Sequence, residues 1–380
     1  MLRWARSSSG MDVAIAAKRV RVTADRLRGW EEGSASPSVA QLRQLAEVYK
    51  RPLAAFFLPE PPPDHPLPVD YRRPAHARQE VSFQLRLAHR EVVYRRTVAL
   101  ELAQASSVDL PQFHLSVGST GDAERAAETI RAALGVALEP DMESTDGYHP
   151  LRVWRTACED AGILVCQAQR IPSGEMSGFS VHESPLPVIV LNPKDHPHRR
   201  LFTLLHEVAH LAAHQGGICD TRAPSPAADP AEAKCNAIAA ATLVPRADLV
   251  EQPLVSQHGS SPAWSDHDLR GLARRYGVSR EVVLRRLLAL ELSDEGFYRQ
   301  RRATFAAEYE RFSHRASRGS PPPATAALSR CGPTFARLVL RAYGSDVVSL
   351  RDACDYLGVG PKQLQNVADQ AFGWKDAGVA

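Results

Sequence analysis

Residues 206–210 read His-Glu-Val-Ala-His, and around them Leu201, Leu204, Leu205, Val208, Leu211 and Ala212 recur at the i, i+3, i+4, i+7 spacing of an amphipathic helix. No other stretch constrains the chain as much. Residues four apart on a helix share a face and lie roughly 6 Å apart along the axis, so His206 and His210 can turn their rings towards one ion. Glu207 falls beside them, where a carboxylate can act as general base. The pattern predicts one buried stripe, with the histidines on a neighbouring, cavity-facing edge. The five residues alone also fit two ordinary surface histidines, so a third ligand has to decide.

Catalytic zinc takes three protein ligands and leaves the fourth position to water. Glu232 is the best-placed third ligand, because it opens a second helix-like run over residues 232–245. Asn236, four residues on, shares its helix face, and its amide can orient a histidine ring from behind. His214 lies two turns beyond His206, about 12 Å at 1.5 Å per residue, too far to share the ion. It reads as a polar group at the helix end or pocket rim. Asp220, just after the Gly216-Gly217 helix stop, is a rival carboxylate for the third position.

These residues resemble the ImmA/IrrE family of zinc metallopeptidases over roughly residues 80–292. Gly178-Phe179-Ser180, then Pro187 to Asn192, then Arg199 to Thr203 leading into the motif are similar to that family's order of strand, Asn turn and Phe-Thr helix start. Glu232, Asn236 and Leu243-Val244-Pro245 resemble its second signature. Cys235 and Ile238 depart from it, standing where Ala and Phe are usual. The resemblance implies one zinc ion per chain, held by His206, His210 and Glu232, with Glu207 as catalytic base. It also implies a protein substrate, a helix-turn-helix repressor or related regulator.

Residues 1–60 hold ten Lys and Arg against six Asp and Glu, a surplus larger than the +3 of the whole chain. A phosphate-facing surface is therefore expected there. The segment reads as five short helices, at about 2–8, 12–19, 23–31, 38–49 and 53–57, with Thr23 as a helix cap and Gly33 and Pro37-Ser38 as separators. Ala16-Ala17, Val22, Trp30-Glu31, Gly33 and Pro37-Ser38 resemble the Xre-type helix-turn-helix domain. On that resemblance the third helix enters the major groove and turns Thr23, Ala24, Asp25, Arg26 and Arg28 towards DNA, Arg28 being the best base reader. Asp25 is unfavourable near phosphates, and a protein-interaction module is the competing reading.

The expected fold is α+β and predominantly helical, and 44% hydrophobic residues over 380 suffice for a large core. The reading sets a helix-turn-helix domain at 1–58, a Pro-rich linker at 59–75, a metallopeptidase domain at 76–255, an HTH-like helical extension at 256–316 and a C-terminal helical region at 324–380. Short β-branched runs at Gly162 to Gln167, Gly178 to Val181 and Val188 to Leu191 predict a small sheet beside the motif helix. No apolar run approaches the ~20 residues of a membrane span, and Cys158, Cys166, Cys219, Cys235, Cys331 and Cys354 form no Cys-x-x-Cys pair. A cytoplasmic location without membrane contact is the expectation.

Together these features predict a regulatory zinc-dependent endopeptidase fused to a DNA-binding domain, acting on a regulator in a stress, phage or mobile-element response. The alternative is a transcriptional regulator or antitoxin whose zinc domain senses a ligand or metal without proteolysis. DNA half-sites would make a homodimer. For the oxyanion, the sequence offers only His182 and Tyr148.

Overall fold

A computed structural model describes residues 1–62, 69–70, 81–117, 122–137, 148–172, 174–213, 217–219, 230–315 and 321–373. The chain divides into two compact units, Met1–Leu67 with Ala77–Tyr94, and Pro68–His76 with Arg95–Ala380.

The first unit is helical: α1 (Leu2–Ser8), α2 (Val13–Arg19), α3 (Ala24–Glu32), α4 (Val39–Tyr49), a 3-10 turn at Leu53–Phe57, and the start of α5 (Phe83–Ala105) up to Tyr94. Helices α2, α3 and α4 begin where a side chain takes up an orphan N–H. The Asp12 carboxylate accepts from Ala14, the Thr23 hydroxyl from Arg26, and Ser38 and Gln41 form a reciprocal capping box. Ala5, Met11, Ala16, Ala17, Val20, Leu27, Trp30, Leu45 and Tyr49 make the core. Arg6 clamps α1 to α3 with two bonds to the buried Glu31 carboxylate, 2.6 and 2.9 Å. The sequence reading grouped the start of α5 with the metallopeptidase segment. It packs here instead, with Arg90 donating to the carbonyls of Tyr49 and Lys50.

The second unit is built on a five-stranded mixed sheet: β1 (Val69–Asp70), β2 (Leu164–Gln167), β3 (Gly178–Val181), β4 (Val188–Leu191) and β5 (Gly217–Cys219), in the order β1-β5-β3-β4-β2. β3 runs antiparallel to both β4 and β5, whereas β2 pairs with β4, and β1 with β5, in parallel. β2, β3 and β4 lie within the three predicted runs. β1 and β5 were not foreseen, since two or three residues are too few to show an alternation. β1 even falls inside the segment read as linker.

Around the sheet lie α6 (Ala123–Leu134), α7 (His149–Asp160), α8 (Pro197–Ala212), α9 (Pro230–Leu243), α10 (Arg246–Glu251), α11 (Pro253–Ser256), α12 (Asp266–Tyr276), α13 (Arg280–Ala289) and α14 (Glu295–Arg315). α15 (Pro323–Cys331), α16 (Pro333–Gly344), α17 (Leu350–Leu357) and α18 (Leu364–Gly373) close the chain. The last group is fastened to α7 and β2. Glu159 accepts from the backbone N–H and hydroxyl of Thr334 at 3.0 and 2.8 Å, and Arg155 donates to the Leu328 carbonyl at 3.1 Å. No helix among the described residues is long and apolar enough to cross a membrane.

The motif helix α8 corrects the one-stripe expectation, because it is buried continuously from Arg200 to Ala212. It packs against β3 and β4, against α7 and against α9 at once, so its polar residues are enclosed as well as its apolar ones. A buried polar residue has to be partnered or to hold something. Arg200, Thr203, His206, Glu207 and His210 are so enclosed.

Candidate metal centre

The close seating of α8 on β3 depends on Gly178. A Cβ there would lie 2.5 Å from Thr203 Cγ2 and 2.9 Å from the Val190 carbonyl oxygen, so only glycine lets the helix approach. Side chains alternate along a strand, which puts Gly178, Ser180 and His182 on one face. Ser180 Oγ donates to Glu207 Oε2 at 2.8 Å, and His182 Nε2 lies 3.0 Å from the His210 carbonyl oxygen. One strand face thus grips the motif at two points three residues apart.

α9 brings the third group. Glu232 Oε2 is 3.3 Å from His206 Nε2, Glu232 Oε1 is 3.1 Å from His210 Nε2, and the two Nε2 atoms are 3.0 Å apart. The exposures are 1% for His206, 0% for Glu207, 1% for His210 and 7% for Glu232. Among the described residues, His206, His210 and Glu232 form the group of donors able to hold a metal ion.

The donor set fits a zinc ion. Tetrahedral coordination with ligands at about 2.0–2.1 Å separates neighbouring donor atoms by about 3.3 Å, and the three separations here cluster around that value. Two imidazole nitrogens and a carboxylate are also suitable ligand chemistry. Two lone-pair nitrogens pointed at each other repel unless a proton or cation lies between them. The electrostatics agree: burial pulls the His210 pKa down, yet hydrogen bonds with Cys235 and Glu232 and the charge on Glu207 outweigh it and carry it up to about 10. Burial pushes Glu232 up, but its two histidine partners hold it well below the usual carboxylate range. The site thus demands positive charge at its centre.

His206, Glu207, His210 and Glu232 are therefore brought together as the sequence pattern suggests. Asn236 is half-buried on α9 and makes no hydrogen bond to either histidine among the described residues; His210 Nδ1 instead lies 3.5 Å from the sulfur of its neighbour Cys235. His214 and Asp220 lie outside the described residues. Tyr148 is engaged by Arg200, whose guanidinium lies 5.1 Å over its ring, and His182 by the α8 backbone. Ser180 and Cys235 were missed as site residues. The signals were available: Ser180 is two residues from a glycine in a strand, and Cys235 one helical turn from Glu232.

In the first unit, α3 leaves Thr23, Asp25, Arg26 and Arg28 exposed, while Ala24 packs partly against the core. Arg28 reaches Asp25 at 2.5 Å, and the Arg26 guanidinium lies 5.7 Å from the Trp30 ring centre. In the HTH-like pair α12 and α13 most arginines are likewise taken up by carboxylates, while Arg274 stays exposed. Arg275 bonds Asp248, Arg280 bonds Asp266 and Glu308, and Arg286 bonds Glu124.

Fold and site define a class: an α+β domain with a buried His-His-Glu centre and an adjacent carboxylate, in a chain that begins with a helix-turn-helix bundle. The family model of the IrrE N-terminal-like peptidase domain matches residues 158–288, which include both histidines, Glu207 and Glu232. That of a helix-turn-helix domain matches residues 1–55, the segment of α1 to α4. The chain thus joins a segment similar to helix-turn-helix domains to one similar to the IrrE N-terminal-like peptidase domain. No curated protein and no solved structure matches it.

Proposed function

We propose that this protein is a regulatory zinc endopeptidase that binds DNA through its N-terminal unit and hydrolyses a transcriptional repressor or related regulator. The observation that carries the reading is the convergence of His206 Nε2, His210 Nε2 and the Glu232 carboxylate within 3.0–3.3 Å of one another, beside a Glu207 carboxylate held by Ser180.

His206, His210 and Glu232 would hold a zinc ion there, which would supply Lewis acidity to activate water and polarise a peptide carbonyl. The chain's own residues do the rest. His206, His210 and Glu232 keep their donor atoms aimed at one point because α8 and α9 are packed together. The Glu207 carboxylate takes the proton released as water attacks, then returns it to the departing amine, so charge does not build up in a buried site. Ser180 fixes one carboxylate oxygen, which orients the other.

The DNA side of the proposal rests on α3. Thr23, Ala24, Asp25, Arg26 and Arg28 form the surface offered to a major groove, and a pair of chains would meet two half-sites. A repressor as substrate would place regulator and operator in one circuit.

A second reading, a regulator whose zinc domain senses a ligand or metal without proteolysis, is favoured by the near-complete burial of the donors. The two separate on one experiment. Zinc-loaded wild type and Glu207→Gln are incubated with repressors encoded nearby, and fragments are identified by mass spectrometry. Endopeptidase action gives cleavage by the wild type and none by the variant, with zinc retained in both. Zinc binding with no Glu207-dependent cleavage establishes the sensor.

A further inference from the structure

Both imidazoles of the centre turn Nε2 towards the shared point, so each has Nδ1 to spare. What Nδ1 meets decides the tautomer and how firmly the ring is aimed. His206 Nδ1 is buried and has no hydrogen-bond partner among the described residues. His210 Nδ1 lies 3.5 Å from the sulfur of Cys235, which is 2% exposed. The two histidines of one motif are thus supported differently.

Cys235 follows Glu232 by three residues on α9, so carboxylate and thiol project from the same face of that helix. One helix therefore holds the His210 ring at both ends, with Glu232 Oε1 3.1 Å from Nε2 and Cys235 Sγ 3.5 Å from Nδ1. The sulfur stands on the far side of the ring from the donor triad. It is a partner of a ligand, outside the set of ligands.

We propose that Cys235 is the positioning residue for His210: its sulfur accepts the Nδ1–H bond, which fixes the tautomer with the Nε2 lone pair towards the cation. This rests on reading His206, His210 and Glu232 as the metal centre. A thiol is a weaker acceptor than a carboxylate or a carbonyl, so it steadies the ring while adding no further formal charge to a site that already holds Glu207 and Glu232. With no counterpart for His206 among the described residues, Cys235 supplies the orienting bond seen in the pair.

The test uses the full-length chain and Zn2+ alone, in competition with a chromophoric chelator. Cys235→Val keeps the volume and removes the acceptor; Cys235→Ser restores an acceptor. The Zn2+ dissociation constant is expected to rise about 10–100-fold in Cys235→Val and to stay within about threefold of wild type in Cys235→Ser. Melting of the metal-free proteins controls for packing, and the affinity loss is expected without a matching fall in metal-free Tm. Co2+-loaded wild type is expected to lack a thiolate-to-cobalt charge-transfer band. Wild-type affinity in Cys235→Val, or a charge-transfer band that vanishes in Cys235→Ser, overturns the assignment while leaving the metal centre standing. Failure of wild type itself to bind Zn2+ overturns both.

Discussion

Ser180 Oγ donates a 2.8 Å hydrogen bond to Glu207 Oε2, and both residues are buried. A hydroxyl bonded to a buried carboxylate fixes its rotamer and so holds the proposed base in place. Ser180→Ala is expected to lower kcat for repressor cleavage about 10-fold, corresponding to about 1.4 kcal/mol, with KM and zinc content unchanged. A fall in zinc content alongside the rate would show a general collapse of the site instead.

Gly178→Ala is expected to destabilise the second unit by about 1–3 kcal/mol, because the new methyl would meet Val190 backbone as well as the Thr203 side chain. Denaturant unfolding reads this directly. An unchanged midpoint would mean that α8 can move off β3 without cost.

The protonation of the centre sets a pH dependence. Without a cation, the His210 pKa lies above its ordinary 6.5, at about 10, so the protonated ring contributes stability that is fully present below 6.5 and lost as pH rises through 10. Glu232 is depressed below 4.5, so its contribution is present above 4.5 and lost as pH falls well below it. Zinc has to displace the His210 proton, so its apparent affinity is expected to climb about tenfold per pH unit across the neutral range. Chelator competition at several pH values checks this; a flat profile contradicts the proton-for-metal exchange.

On α3, Asp25 is 91% exposed and lies 2.5 Å from Arg28. Such a pair keeps a cation partly neutralised on a surface meant for phosphates. Asp25→Asn is expected to strengthen binding to the upstream operator and Arg28→Ala to weaken it by about 1–3 kcal/mol. Fluorescence titrations at fixed salt measure both. Insensitivity to the two changes would favour a protein-interaction role for the first unit.

The features legible in the sequence are those with a strong local period. α8 shows itself through its apolar spacing, α2 to α4 through their caps, and β2, β3 and β4 through β-branched runs. His206, Glu207 and His210 follow from the α8 spacing, and Glu232 from its place at the head of α9. What escaped reading is tertiary. Ser180 meets Glu207 only because β3 crosses under α8, and Cys235 reaches His210 only because α9 lies against it. The burial of α8 on several sides was hidden for the same reason: His206 and His210 read as cavity-facing edge positions, and it is the packing of β3, β4, α7 and α9 that encloses the rest of the helix. β1 and β5 are too short for any periodic signal, and their pairing joins residues nearly 150 apart in sequence.

The most direct test of the account is the zinc stoichiometry of purified wild type and Glu232→Ala, measured by elemental analysis after dialysis against limiting free Zn2+. Three converging donors predict about one ion per chain in the wild type and almost none in the variant, with both chains folded. A wild type without zinc, or a Glu232→Ala that retains it in full, would contradict the ligand set on which the proposed chemistry stands.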